Sequence, residues 1–516
     1  MKRIFFYISI LLVSFSAQSE EYYWKYISGY AIGSFTSPYY ACSAGVASTW
    51  FNGKKELVDV VFTTPNKTHA YCHLRLSQCS GTKCGKWYTP TPAYSIDGYY
   101  IAAVRYGNGC YPGRVYDDIL GRCVDLTPGL QSGGGNDPCH VSNNGPGVYA
   151  GNPINFASAN KYEQVNLYRA PVGVLEFSVH YNSAQLAWSH TYSDRLYVHG
   201  TRTYVVLGDG RTLSFAGVTG QMRAHESVDM LRKDTNEWTL SRDTGEKLFF
   251  DTYGRLIKIK TANDELALSY AASPSVITVS SMHGYEITLS RDGYGKLISI
   301  ETPQGTASFE YYSDKITRIN KSTGGASTNI QFHYEQTHKG LLTGITDERG
   351  IRYVTWAYDA QRRPILSENA ATGGATHIEY ADDGSVTVVN PLGKRTKYTF
   401  QIFLNILGGA GVKRVTSIVG EPSPNCPASN SNYTYDARGL LATKTDKKGV
   451  LTSYTYNSRG LEASRTEAIG TPQARTITTE WHPEFFLPVM ITEPDRTTQY
   501  TYDTQGRQTS QSVTQR

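Results

Sequence analysis

Seven of the eight cysteines in this 516-residue chain lie between residues 42 and 139: Cys42, Cys72, Cys79, Cys84, Cys110, Cys123 and Cys139. Thiols this dense do one of two kinds of chemistry. They bind a metal, for which His69 and His73 beside Cys72, Cys79 and Cys84 offer further ligands, or they oxidise in pairs. No Cys-x-x-Cys knuckle is present, and an exported chain meets an oxidising compartment, so the cluster reads as a disulfide framework. An odd seven leaves one thiol over, either free or paired with Cys426. Spacing alone does not give the connectivity.

Other chemistry-bearing residues are sparse. The sequence has no Gly-x-Ser-x-Gly elbow, no phosphate-cradling glycine loop, no His-Glu-x-x-His and no EF-hand spacing. His225-Glu226 begins like a zinc motif, but Asp229 stands where the second histidine belongs. Asp382-Asp383-Gly384 could touch a cation, yet between two strands it reads as a hairpin turn. His333, His377 and His482 are scattered. Asp436 and Asp503 recur at matching places, but Asn457 replaces them in a sister unit. That is expected of a residue that caps a turn and not of one that moves a proton. No catalytic residue, cofactor site or metal site is assigned.

Those aspartates belong to a repeat. YTYDARGLLATKTDKKG (Tyr433 to Gly449) aligns without a gap on YTYNSRGLEASRTEAIG (Tyr454 to Gly470), 21 residues on, and YTYDTQGRQTSQ follows from Tyr500. A degenerate unit starts at Glu480-Trp481-His482. Tyr433, Tyr435, Tyr454, Tyr456, Tyr500 and Tyr502 sit on Tyr-Thr-Tyr strands with one buried face. Gly439, Gly460 and Gly506 close the turns, where positive φ is needed. One hairpin is marginal alone, so consecutive units must pair and bury their tyrosines together. Arg438, Arg459 and Arg507 are expected to lie flat on neighbouring tyrosine rings.

This pattern resembles the YD repeat of the RHS (rearrangement hotspot) proteins. Weaker copies extend it upstream: FFDTYGRLIKI from Phe249, LSRDGYGKLISI from Leu289, FEYYSDKITRI from Phe309, WAYDAQRRPILSE from Trp356 and IEYADDGSVTVVNPLG from Ile378. Gly151 to Gln164, Leu175 to Gln185, Trp188-Ser189-His190 and Leu207 to Phe215 resemble the landmarks of the domain that precedes RHS repeats. Ala159-Asn160 departs from the commoner pattern there.

The chain opens with basic Met1-Lys2-Arg3, an apolar run from Ile4 to Phe15, and small residues at Ala17 and Ser19. This reads as a signal peptide cleaved before Glu20, hence export to periplasm, cell surface or medium. Phe400 to Val412 is too short and polar to span a bilayer, so no transmembrane anchor is expected. Thirty-nine tyrosines, 48 glycines and five methionines suit a strand-rich chain. Net charge is +5, or 48 − 45 = +3 without Lys2 and Arg3. That is too little to imply nucleic acid as a partner. The plan is a signal peptide (1–19), a cysteine-rich domain (20–130), a Gly/Asn/Pro-rich linker (131–150), a β domain preceding the repeats (151–250), and YD repeats (251–516).

The expected fold is mainly β, with hairpins forming one continuous curved sheet, an open partial shell behind a small disulfide-rich domain. Long RHS proteins wind such a sheet around a toxic domain and carry a self-cleaving Asp-Pro-x-Gly motif, absent from this sequence. The resemblance implies an exported, non-enzymatic relative of a toxin-delivery shell, without core protease or toxin. It would act as a scaffold or in intercellular competition, with a further RHS fragment or toxin module as partner. The concave face is expected to hold no cargo. Two readings stand beside it: a surface adhesin binding glycan through the cysteine-rich head, and a glycosidase with a carboxylate pair in a cleft.

Overall fold

A computed structural model describes residues 146–516, apart from 200–201, 225–226, 273–274, 293–295, 313–314, 336–339, 371–372, 404–411 and 422–428. Before residue 146 it describes only the backbone of seven strands. Every element among the described residues is a strand or a turn. No helix there is long and apolar enough to cross a membrane. The signal sequence, His225-Glu226, Cys42, Cys110, Cys139 and Cys426 fall outside the described residues.

In the cysteine-rich segment, Tyr23–Tyr26, Ala102–Tyr106, His69–Ser80 and Gly53–Phe62 pair in that order, and Lys83–Cys84 pairs with the end of His69–Ser80. Cys79 and Cys84 are Cα partners across that last pair. Cys72 lies opposite Val60, and Cys123 opposite Tyr116 in the hairpin of Arg114–Asp117 and Arg122–Asp125.

Residues 146–216 build two small antiparallel sheets. One has the order Ala187–His190, Glu176–Asn182, Asn160–Arg169, Ile154–Asn155, Tyr149–Ala150; the other is Arg195–His199, Arg202–Val206, Thr212–Ala216. A sheet of 27 strands then runs from Gln221–Arg223 to Gln508–Gln515, each strand antiparallel to the one before it. It starts well before residue 250, which itself lies inside the strand Lys247–Asp251. Strict chain order is what short hairpin units require, because each new strand can pair only with the edge left by its predecessor. Alternation sets the faces: in Gly305–Tyr312, Ala307 and Phe309 are buried while Thr306, Ser308 and Glu310 are exposed.

The block 146–216 and the sheet share one core. A single apolar cluster runs from Ile154, Phe177 and Tyr181 through Leu240 and Phe309 to Trp356 and Val388. The block touches the sheet from Asp264, whose carboxylate accepts from Val174 N at 2.7 Å, to Lys413, whose Nζ donates to Ala157 O at 3.1 Å. Fifteen consecutive strands, Leu256–Lys260 to Val412–Gly420, lie across that interval. Laid flat they would extend roughly 70 Å at about 4.8 Å per strand, whereas a compact body of some 70 residues is only about 30 Å across. The sheet therefore curls around the block, which occupies its concave side. The chain's own preceding segment fills this part of the concave face.

Candidate functional site

The repeat unit explains its own signature. Asp436 Oδ1 accepts from the backbone N–H of Arg438 (2.8 Å) and Leu440 (3.0 Å), and Gly439 takes φ 70°. Asn457 accepts from Leu461 N at 3.0 Å, and Asp503 from Gln505 N and Arg507 N at 2.9 Å each; Gly460 and Gly506 have φ 79° and 82°. Each carboxylate or amide is thus spent on holding a tight turn. Asp383 does likewise, accepting from Ser385 N at 2.9 Å beside Gly384 at φ 79°.

The second aromatic of each unit sits at a β-bulge, as at Thr434/Tyr435, Thr455/Tyr456 and Thr501/Tyr502. Its hydroxyl reaches back to the carbonyl at the start of the preceding strand. Tyr456 donates to Leu441 O at 2.7 Å, Tyr502 to Pro488 O at 2.7 Å, and Tyr358 to Leu342 O at 2.8 Å. Tyr435 makes the corresponding bond to Val415 O at 2.6 Å. In the degenerate unit Trp481 takes this place, donating Nε1–H to Glu462 O at 2.7 Å. Burial pushes these hydroxyls up, and pushes that of Tyr270, which donates to Leu256 O at 2.6 Å, up to about 12, so they stay protonated donors. The first aromatics turn inward: Tyr433 is buried, Tyr454 and Tyr500 are half-buried.

The arginine expectation is corrected. Arg438 binds Asp436 and the Asn457 carbonyl (2.9 Å), Arg507 binds Asp503 (2.6 Å), and Arg459 donates to carbonyls of the 482–485 turn and lies 5.1 Å over Phe486. Stacking on tyrosine occurs at Arg255 over Tyr270 (5.1 Å) and Arg363 over Tyr380 (4.5 Å). Arg255 and Arg363 also hold their own turn aspartates, Asp251 at 2.8 Å and Asp359 at 2.6 Å, as Arg507 does, so the ring contact comes in addition to the turn pairing.

Three assemblies go beyond the repeat. The first is the anchor between block and sheet. Lys161, wholly buried, donates to Glu163 at 2.7 Å and to the Tyr162 carbonyl, with its ammonium 4.1 Å over the Trp356 ring. Burial pulls its pKa down to about 8. Trp356 Nε1 donates to Asn152 O at 3.0 Å, Tyr181 OH to Gly340 O at 2.8 Å, and Trp188 Nε1 to Tyr334 OH at 2.8 Å.

The second is a seam where the winding meets itself. A Cβ added at Gly460, between the twenty-second and twenty-third strands, would stand 2.6 Å from the guanidinium of Arg223 on the first strand. Lys247, on the fourth strand, lies 5.2 Å over Phe485, between the twenty-fourth and twenty-fifth. One circuit therefore takes about twenty strands, and successive circuits meet through side chains against turns.

The third is an acidic cluster at the junction of the small sheets and the first long strands. Arg211 pairs with Asp209 at 2.7 Å and Arg242 with Glu246 at 3.5 Å, while buried Asp229 accepts from Asp243 N at 2.9 Å. Burial, then the charges of Glu246 and Asp209, push Asp194 up to about 7; burial also raises Glu246. Among the described residues no three His, Cys, Asp or Glu converge as metal ligands would. Sequence reading missed this cluster and the seam, because their members come from separate loops with no spacing in common.

Among the described residues, Tyr-x-Tyr-Asp hairpins follow one another in a single curled antiparallel sheet, which makes this a β-repeat architecture. Residues 435–472 match the family model described as RHS Repeat, so the chain carries an RHS repeat there. No curated protein matches the sequence. Among solved structures, TcdB2-TccC3 without its hypervariable C-terminal region is similar at 10% identity, over 86% of this chain and 27% of that one, with TM-score 0.38. The TcdB2-TccC3-Cdc42 structure is similar at 13% identity, over 67% and 20%, with TM-score 0.30. The Tc holotoxin pore of Photorhabdus luminescens matches at 13% identity, over 66% and 19%, with TM-score 0.29. The chain spans about a quarter or less of those proteins' length. Scores this low leave the fold to be read from the strands themselves.

Proposed function

We propose that the protein is an exported, non-enzymatic scaffold of the RHS-repeat kind, a relative of toxin-delivery shells, whose wound sheet holds polypeptide on its concave side. The observation that carries this reading is the curl of fifteen strands around residues 146–216, anchored at Lys161, Trp356 and Tyr181. The repeat aspartates support a non-catalytic role, since turn N–H groups occupy their carboxylates. The strand Gln508–Gln515 is hydrogen-bonded on one side, to Arg496–Tyr502, and all its residues are exposed. A further RHS fragment or a toxin module is the proposed partner, since the repeat is of the kind that toxin-delivery shells carry. The basic and apolar run at residues 1–15 supports export.

Limited trypsin digestion of the full chain tests the holding role. Cleavage within 146–216 should appear only as the long sheet unfolds. Release of that segment from an intact sheet would overturn the reading, as would glycan or peptide hydrolysis abolished by Asp194→Asn. Mass spectrometry of exported material should find Glu20 at the N-terminus.

A further inference from the structure

In the cysteine-rich segment, backbone register sorts the thiols. The strand His69–Ser80 carries both Cys72 and Cys79. Seven residues at about 3.3 Å each put their Cα atoms roughly 23 Å apart, and the odd interval places them on opposite faces. A disulfide needs Cα atoms within about 7 Å, so these two cannot join. Opposite Cys72 stands Val60, and opposite Cys123 stands Tyr116. His69, Cys72 and His73 fall at one end of the strand and Cys79 at the other. Metal–ligand bonds are only about 2.0–2.3 Å long, so these residues cannot gather on one ion.

Cys79 and Cys84 stand differently. They are Cα partners between His69–Ser80 and Lys83–Cys84, one step from the partners Ser80 and Lys83. Opposed residues of an antiparallel pair have Cα atoms about 4.5 or 5.5 Å apart, depending on whether they exchange hydrogen bonds. Both values fall within the disulfide range of about 4.4–6.8 Å, and opposed residues share a face of the sheet. The residues between Ser80 and Lys83 are Gly81 and Thr82. Glycine in the first place of a two-residue hairpin loop is the sequence that fixes such a register.

We propose that Cys79 and Cys84 are joined by a disulfide that locks this hairpin. The assignment rests on the reading of the cluster as a disulfide framework and goes further by naming one bond. The oxidant is a disulfide reagent of an oxidising compartment, an oxidised protein dithiol or a small-molecule disulfide. One cysteine thiolate opens it to a mixed disulfide and releases one thiol; the other thiolate then displaces the second. Two protein thiols become one disulfide, and the reagent's disulfide becomes two thiols. The close register makes the second step intramolecular and fast relative to attack by a distant thiol.

Peptide mapping of the purified full chain, reduced and then equilibrated in a buffer of reduced and oxidised glutathione, tests the pairing. After iodoacetamide blocks the free thiols, trypsin cuts behind Arg75, Lys83 and Lys86, releasing 76–83 and 84–86 as separate peptides. They should travel as one linked species that comes apart on reduction. Cys79→Ser should add one free thiol, at Cys84, and leave the rest of the thiol count unchanged. Recovery of both peptides alkylated, or of either linked to a peptide holding another cysteine, overturns the assignment. The linked species together with alkylated thiols at every other cysteine upholds this bond while refuting the wider framework. Oxidation takes place in the buffer, so the result does not depend on export.

Discussion

The strands from Leu256 to Phe403 and those from Ser429 onward are built from the same hairpin, yet they are stabilised differently. In the earlier group the inner face is roofed by residues 146–216, and Trp356, Ile319 and Leu289 are at most 1% exposed. In the later group few side chains are enclosed, and Tyr456, Trp481 and Tyr502 are only half-buried. The local devices persist in both: the capped Asp/Asn turn, the bulge, and the tyrosine hydroxyl on the previous strand's carbonyl. The repeat therefore specifies a sheet, and the block specifies a core. Local hydrogen bonds of about 1 kcal/mol each can propagate a ribbon, but burial of large side chains at about 1.5–3 kcal/mol each is what makes one stretch of it hard to open.

The largest test of that difference compares two tryptophans at strand positions in the two groups. Trp356→Ala removes a fully buried ring, its bond to Asn152 O and the surface under the Lys161 ammonium. It should cost about 3–5 kcal/mol, as for other buried aromatics. Trp481→Ala removes a half-buried ring with one carbonyl bond, and should cost roughly half as much or less. Urea unfolding of both variants, followed by tyrosine fluorescence, measures this. Equal losses would mean that the block adds nothing to the sheet beneath it.

The repeat was legible in sequence because its parts are local. Tyr-x-Tyr alternation, an Asp or Asn that caps, and a Gly with positive φ all act within six residues, so the roles of Asp436 and Gly439 follow from their immediate neighbours. Trp481 was less legible: only its indole N–H on the Glu462 carbonyl shows that it does a tyrosine's work. The curl of the sheet was readable as a tendency, but what lies inside it was not. Lys161 meets Trp356 across almost 200 residues, and neither carries a local sign of the other. The same holds for Arg223 and Gly460 at the seam. Contacts of this kind depend on how many strands complete a circuit, which follows from twist summed over the whole sheet and not from any one unit.

Two glycines sharpen the comparison at the seam. Gly449 and Gly460 have nearly the same backbone, φ 81° and 79°, but a Cβ at Gly449 meets nothing within 4 Å, while one at Gly460 meets the Arg223 guanidinium. Gly449→Val should cost about 1 kcal/mol for backbone conformation alone. Gly460→Val should cost about 1–2 kcal/mol more, because Arg223 must leave its place. In an Arg223→Ala background the two substitutions should become equal, a cycle that isolates the contact. If the excess at Gly460 survives there, successive circuits do not meet through Arg223.

The smallest effect separates the two regions most cleanly, since it changes one oxygen and leaves the packing alone. Tyr358 and Tyr502 make the same bond at 2.8 and 2.7 Å, to Leu342 O and Pro488 O. Leu342 is fully buried, so in Tyr358→Phe its carbonyl loses a partner where water does not replace it. That loss should approach about 1.5 kcal/mol, the upper end for a neutral hydrogen bond. Pro488 is only half-buried, and after Tyr502→Phe its carbonyl can take a water molecule, so about 0.5 kcal/mol is expected. Hydrogen exchange read by mass spectrometry locates the change on the strands that carry it. Protection should fall around residues 341–358 in the first variant and barely change around 488–502 in the second. Equal loss at both places would show that the hydroxyl lock, and not the enclosed block, sets local stability along the whole winding.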